Sequence, residues 1–353
     1  MAMLRVAVTG DTARLYDPET GADAPALTST AIREAAPELA PRTPIVILIH
    51  GYRYDPRSEQ LANPHETLFA FDPVRPRTDR WQKTESWPRG LGFTPEDTTG
   101  REGLCIAFGW PGRPRARFGR FCSAYANAER AGRALLRTVE LLVRVHPGRP
   151  VDFVAHSLGA RVVLCAMRLA AERRRHDLLG AMGRAIMLGP AELAFVARGV
   201  LADVDAVTRR GGPCIFAMLA RENDVFDALL EHFAPAIPLR RKIGIGASGL
   251  GTGRQNWIEI QIDHPHTRRW LAERGAVIGG EARRACHWGV YNRPGTLDLY
   301  AAILRDRARW SIPALREEGV PEDLEPRWCR LPWFLRRRIA RPEDIDIAGA
   351  TTI

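Results

Sequence analysis

The run Val151-Asp-Phe-Val-Ala-His-Ser-Leu-Gly-Ala-Arg-Val-Val-Leu164 joins two patterns with nothing between them. Residues 151–156 are almost continuously apolar, as a strand covered on both faces must be. From Leu158 the apolar residues recur at helical spacing. Ser157 alone stands at the junction, with small residues two places away on either side, Ala155 and Gly159. A strand that becomes a helix within one residue holds that residue in a strained conformation, and larger side chains at those two flanking positions would collide. Such a turn pushes the hydroxyl out above the sheet. It also aims the free N–H groups and positive dipole end of the new helix at whatever meets the serine. The pattern is G-x-S-x-G with Ala155 in place of the first glycine, a substitution that still fits sterically. The competing account is a serine that merely caps the helix.

Outward from this run, Ile45–His50, Leu104–Gly109, Ala185–Leu188 and Cys214–Leu219 read as further buried strands. Trp257–Ile262 alternates and is expected nearer a sheet edge, and Met3–Val8 with Arg14–Tyr16 as a leading hairpin. Helical patterns cover Ala124–Val145, Leu158–Arg174, Asp224–Phe233 and Thr296–Arg309. Strand and helix in alternation imply an α/β fold: a mostly parallel central sheet with helices on both faces. No convincing boundary divides the chain, so one domain over residues 1–353 is expected, with its core at about 44–304. Tyr52–Gly103 is a long insertion after the third core strand. It carries Phe69, Phe71, Trp81, Trp87, Leu91 and Phe93, which suits a lid or pocket wall better than a linker. Trp310–Ile353 is a Pro/Arg/Trp-rich extension expected to pack back on the domain.

Composition narrows the function classes. The 353 residues are 45% hydrophobic and 26% charged, a globular mixture that argues against disorder. No run approaches the ~20 apolar residues of a membrane span, and the first residues lack a signal-peptide core. A soluble cytoplasmic protein is expected. Lys and Arg number 51 against 41 Asp and Glu, for a net charge of +10. The bases are nearly all arginine, in short clusters at 113–120, 173–175 and 336–338. No nucleic-acid-binding pattern accompanies them, so a solvated surface is the expectation rather than a specific nucleic-acid partner. The six cysteines form no C-x-x-C pair and read as reduced thiols without zinc or disulfides. His264-Pro-His266 lacks a third ligand at a recognisable spacing. Gly244-x-Gly246-x-x-Gly249 follows Arg-Arg-Lys rather than a strand, and no helical pattern follows it. No metal or cofactor is expected, and oligomeric state is left open.

The serine run resembles the nucleophile elbow of the α/β-hydrolase superfamily, and the resemblance covers about Pro44 to Leu304. Within it the chain looks most like a bacterial family of uncharacterised α/β hydrolases. These carry a His-Gly pair after an early strand, then a Trp-Pro motif, then an H-S-M-G or H-S-L-G elbow. Here the motifs are His50-Gly51, Trp110-Pro111-Gly112 and His156-Ser157-Leu158-Gly159-Ala160-Arg161; Tyr125 and Ala128 also fit. The resemblance implies a serine hydrolase, esterase- or lipase-like, acting on a small-molecule acyl substrate. It also implies an oxyanion hole from the backbone N–H groups of Tyr52 and Leu158.

A serine hydroxyl needs a base, and the base an orienting acid. In this superfamily they follow in the order serine, acid, histidine. Asp224, just past the Cys214–Leu219 strand, is the expected acid, with Glu222 as rival. His287 is the expected base, with His264 and His266 as alternatives. A non-catalytic binding or scaffolding member of the same fold is the competing function.

Overall fold

The computed structural model describes residues 2–17, 24–74, 85–114, 120–209, 211–235, 242–251, 253–280, 285–322 and 325. Trp81, Cys329, the arginines within 115–119, the cluster at 336–338 and most of the C-terminal extension lie outside the described residues.

Eight strands form one sheet: β1 (Met3–Thr9), β2 (Thr12–Leu15), β3 (Ile45–Ile49), β4 (Leu104–Gly109), β5 (Val151–His156), β6 (Met182–Leu188), β7 (Cys214–Leu219) and β8 (Trp257–Gln261). Their spatial order is β2-β1-β4-β3-β5-β6-β7-β8. Only the β1–β2 hairpin is antiparallel; every other pairing is parallel. This is the α/β architecture expected of an α/β-hydrolase fold, a mostly parallel sheet wrapped by helices. β3, β4 and β5 are buried at every position, which explains their unbroken apolar runs. β8 is an edge strand, as its alternation suggested, yet both its faces are covered.

Each face of the sheet has its own apolar layer. On one, the helices Arg120–Val145, Leu158–Glu172 and Ala194–Thr208 pack Leu135, Val139, Val162, Val163, Leu201 and Val204 against the strands. On the other, Pro265–Glu273 and Thr296–Arg305 contribute Trp270, Leu271, Leu299, Tyr300 and Ile303. Each such side chain contributes about 1.5–3 kcal/mol on full burial.

The insertion belongs to this second layer. Leu68, Phe69, Trp87, Leu91 and Phe93 are all buried in it. Trp87 meets Phe69 and Tyr291 edge-on, with ring centroids at 5.8 and 5.1 Å. Arg305 binds the Leu91 and Gly92 carbonyls from the far helix. The described part of the insertion is therefore core wall rather than a detached flap. Trp310, Ile312, Leu315 and Val320 join the same layer, so the start of the C-terminal extension does pack back.

Cys105, Cys122, Cys165, Cys214 and Cys286 are free thiols; Cys105 and Cys165 are buried and Cys122 is exposed. Among the described residues no helix is long and apolar enough to cross a membrane.

Candidate active site

The carboxyl ends of β3, β4, β5 and β7 bring the motif residues to one edge of the sheet. Ser157 follows β5 with φ 54° and ψ −120°. A positive φ on a residue with a Cβ costs on the order of 1–3 kcal/mol and persists only where its surroundings enforce it. Ser157 N–H donates to Leu188 O at 3.0 Å, and Ser157 O accepts from Ala191 N–H at 3.0 Å. Gly159 lets the helix pass close to β3: a Cβ there would sit 2.6 Å from Ile49 O and 2.8 Å from His50 O. Ala155 is fully buried without obstructing the turn. The Ser157 side chain makes no capping hydrogen bond, which removes the helix-cap account. The residue is 4% exposed.

His50-Gly51 and Trp110-Pro111-Gly112 make one unit. Trp110 N–H donates to His50 Nε2 at 2.9 Å, and Trp110 Nε1–H donates to His50 O at 2.8 Å. The two rings stack, 5.3 Å apart and 3° from parallel. Because Nε2 accepts, Nδ1 carries the proton and donates to Gly51 O at 2.9 Å. Burial holds the imidazole neutral, its pKa lowered to about 4. The Gly51 carbonyl and the Tyr52 N–H share one trans peptide plane and point oppositely. Fixing the carbonyl therefore aims the amide. Gly51 also abuts the serine: a Cβ there would lie 2.7 Å from Ser157 Cβ. Leu158 N–H heads its helix, where the first amides have no intrahelical acceptor.

His287 reaches the same edge. Its carbonyl accepts from His156 Nε2 at 3.2 Å, and the two rings lie 4.5 Å apart. Phe226 stacks on it at 4.5 Å and Trp288 meets it edge-on. Its Nδ1 lies 2.6 Å from Asn223 Oδ1. Asn223 in turn donates from Nδ2 to Asp227 Oδ1 at 2.9 Å. This second bond settles which end of the amide faces the ring: Oδ1 accepts, so His287 Nδ1 bears the hydrogen and Nε2 keeps its lone pair. Burial first, then the charge of Arg53, lowers the His287 pKa to about 4. No hydrogen bond joins His287 to Ser157 Oγ among the described residues.

The side chain that meets His287 Nδ1 is that of Asn223, one place before the expected Asp224. The Asp224 carboxylate lies 3.4 Å from Arg221 Nη1, both groups fully buried, at the start of helix Asp224–Phe233. The rival Glu222 pairs with Arg293 at 2.7 Å beneath the His287 loop. His264 and His266 begin helix Pro265–Glu273, their rings 6.4 Å from each other. Asn223 and Asp227 went unread in the sequence, although their i, i+4 spacing on an amphipathic helix start was a usable signal.

One further cluster anchors the serine turn. Glu192, fully buried, accepts from both the Tyr125 hydroxyl and Arg161. The Arg161 guanidinium lies 3.5 Å over the Tyr125 ring. Arg161 is one helical turn beyond Ser157, so this knot ties the serine's helix to the long Arg120–Val145 helix. Among the described residues no group of three or more His, Cys, Asp or Glu is disposed to hold a metal.

No family model matches the chain, and no curated protein matches it. Among solved structures, one described as the "putative cell surface hydrolase from Lactobacillus plantarum WCFS1" is similar at a TM-score of 0.33 and 12% identity. The match covers 63% of this chain and 82% of that one.

Proposed function

We propose that the protein is a serine hydrolase that cleaves an acyl bond, a carboxylic ester foremost, through an acyl-enzyme. The observation that carries this reading is the strained Ser157 turn, whose neighbour His156 packs its ring 4.5 Å from the half-buried, singly protonated imidazole of His287. Ser157 Oγ attacks the carbonyl carbon while His287 Nε2 takes its proton. The amides of Tyr52 and Leu158 hold the oxygen that becomes negative; one such donor typically supplies ~3–4 kcal/mol of transition-state stabilisation. His287 then protonates the leaving alkoxide, and water, deprotonated by the same nitrogen, releases the acid and restores the serine. Catalytic hydrogen bonds often tighten only with substrate present, and the His287 ring must close on Ser157 at that point.

In this proposal Asn223, held by Asp227, takes the orienting place expected of Asp224. It fixes the tautomer without adding negative charge. Asp224 with Arg221 braces the turn below.

A fluorophosphonate probe is expected to label the native protein at Ser157. Ser157→Ala is expected to lose both labelling and p-nitrophenyl ester hydrolysis, the latter by about 10⁴-fold or more. Equal labelling of the variant would overturn the assignment. The amide partner of His287 also suits a non-catalytic member of the fold, and a native protein inert to the probe would favour that reading.

A further inference from the structure

The helix Asp224–Phe233 turns an apolar stripe outward. Phe226, Leu229 and Phe233 follow one another at steps of three and four, the spacing that sets side chains on one helical face. Other sides hold the helix to the body: Asp224, Asp227 and Leu230 are buried, and Val225 and Ala228 pack on Ala247. On the stripe, Leu229 is 45% and Phe233 50% exposed. The other large apolar side chains so exposed among the described residues, Leu61, Val74 and Val277, stand singly on separate segments. Single exposed apolar residues are ordinary, whereas a continuous exposed stripe marks a place where something apolar binds.

What the stripe touches says what that is. Phe226 stacks on the His287 imidazole, ring centroids 4.5 Å apart and 26° from parallel. One end therefore rests on the ring that serves as base in the proposed mechanism. The other end meets helix Arg120–Val145, where Cys122 Sγ–H donates to Phe233 O at 3.5 Å. Beside Cys122, the half-buried Phe121 ring packs on the Tyr52 ring at 5.7 Å. Tyr52 supplies one of the two proposed oxyanion amides. Two apolar walls thus begin on either side of the Ser157 chemistry, one at the base and one at the oxyanion amide, and the Cys122 contact ties their helices together. The stripe spans two helical turns, about 10 Å, the reach of an extended chain of about eight carbons.

We propose that the Phe226-Leu229-Phe233 stripe, with Phe121 and Tyr52 opposite, binds the aliphatic acyl chain of a medium-chain ester substrate. The inference rests on the hydrolase reading and adds the acyl half of its substrate. The acyl half is the one that carries the carbonyl oxygen held by Tyr52. It also stays on the protein through both chemical steps, so its contacts lower both barriers, whereas the alcohol departs after the first.

The test compares p-nitrophenyl butyrate with p-nitrophenyl octanoate, which share a leaving group, both kept below micellar concentration. Each methylene withdrawn from water adds up to about fourfold, so native protein is expected to favour the octanoate by about tenfold or more in kcat/KM. Leu229→Gln combined with Phe233→Gln is expected to cut that ratio by about fivefold or more and to leave the butyrate within about twofold of native, which also reports an intact fold. Leu229→Met combined with Phe233→Leu is expected to keep most of the preference. A ratio near one in native protein, or a ratio the Gln variant leaves unchanged, overturns the site. Butyl and octyl acetate form the second arm: a chain preference that the Gln variant abolishes there and not among the p-nitrophenyl esters assigns the stripe to the alcohol and overturns the acyl assignment. A native dimer that the Gln variant splits, with the ester ratio unchanged, assigns the stripe to a second copy and overturns it likewise. Fluorophosphonate labelling of Ser157 is run alongside. Labelling with no chain preference removes the acyl site alone, whereas no labelling and no cleavage of any ester removes the hydrolase reading and the acyl site with it.

Discussion

His287 meets an amide where a carboxylate was expected, and the difference is measurable. A carboxylate would stabilise the imidazolium and raise its pKa; Asn223 orients the ring without doing so, and burial with Arg53 takes the pKa down to about 4. In the proposed mechanism His287 is then unprotonated throughout the neutral range. The acid limb of kcat/KM is expected near pH 4, with activity falling as pH drops through it. Asn223→Asp is expected to move that limb upward, and Asn223→Ala to lower kcat about 100-fold. A limb that stays put in Asn223→Asp would remove His287, the ring that residue 223 faces, from the proposed role of base. The sequence pointed to Asp224 after β7, and the group that bonds His287 Nδ1 in the structure is its neighbour Asn223. Residues 223 and 224 straddle the passage from a 3-10 turn, Arg221–Asn223, into an α-helix. Neighbours there point in different directions, and only the backbone path decides which one looks at the histidine.

At the scale of single elements, tight approaches decide the outcome. Gly159→Ala would place a methyl 2.6 Å from the Ile49 carbonyl oxygen, in contact with backbone that cannot yield cheaply. It is expected to cost about 1–3 kcal/mol of stability and to displace the serine turn. Denaturant midpoints and probe labelling would check both, and an unchanged midpoint would refute the contact. Gly51→Ala is expected to retain the fold while cutting kcat by 10²-fold or more, because the added methyl meets Ser157 Cβ and tilts the Tyr52 amide. The strands were legible because burial on both faces leaves an unbroken apolar signature. The helices Ala194–Thr208 and Pro265–Glu273 were not read. The first is apolar on most sides and interrupted by Gly199; the second is short and opens on Pro265 between two histidines. The bond from His50 to the Gly51 carbonyl was equally hidden, since it depends on Trp110, 60 residues away in the chain.

At the scale of the whole molecule, five imidazoles among the described residues are pushed toward the neutral form chiefly by burial: His50, His65, His146, His156 and His287. Each has a folded pKa below its unfolded value near 6.5. Their contribution is therefore complete above pH 6.5 and is lost as pH falls toward the folded values. His50 alone, lowered to about 4, accounts for about 3 kcal/mol over that interval. The urea midpoint is expected to drop steadily between pH 6.5 and 4, and a flat profile would contradict the burial of these rings. The layered plan was legible from the strand and helix alternation, whereas the job of the insertion was not. Aromatic residues in a long connection look alike whether they close over a site or fill a gap beneath a sheet. Here Phe69, Trp87, Leu91 and Phe93 fill that gap. The segment cannot then be traded like a cassette to retune selectivity, because removing it strips the floor from half the scaffold. Variation in what the protein accepts has to arise instead at the rim, in the few side chains exposed there.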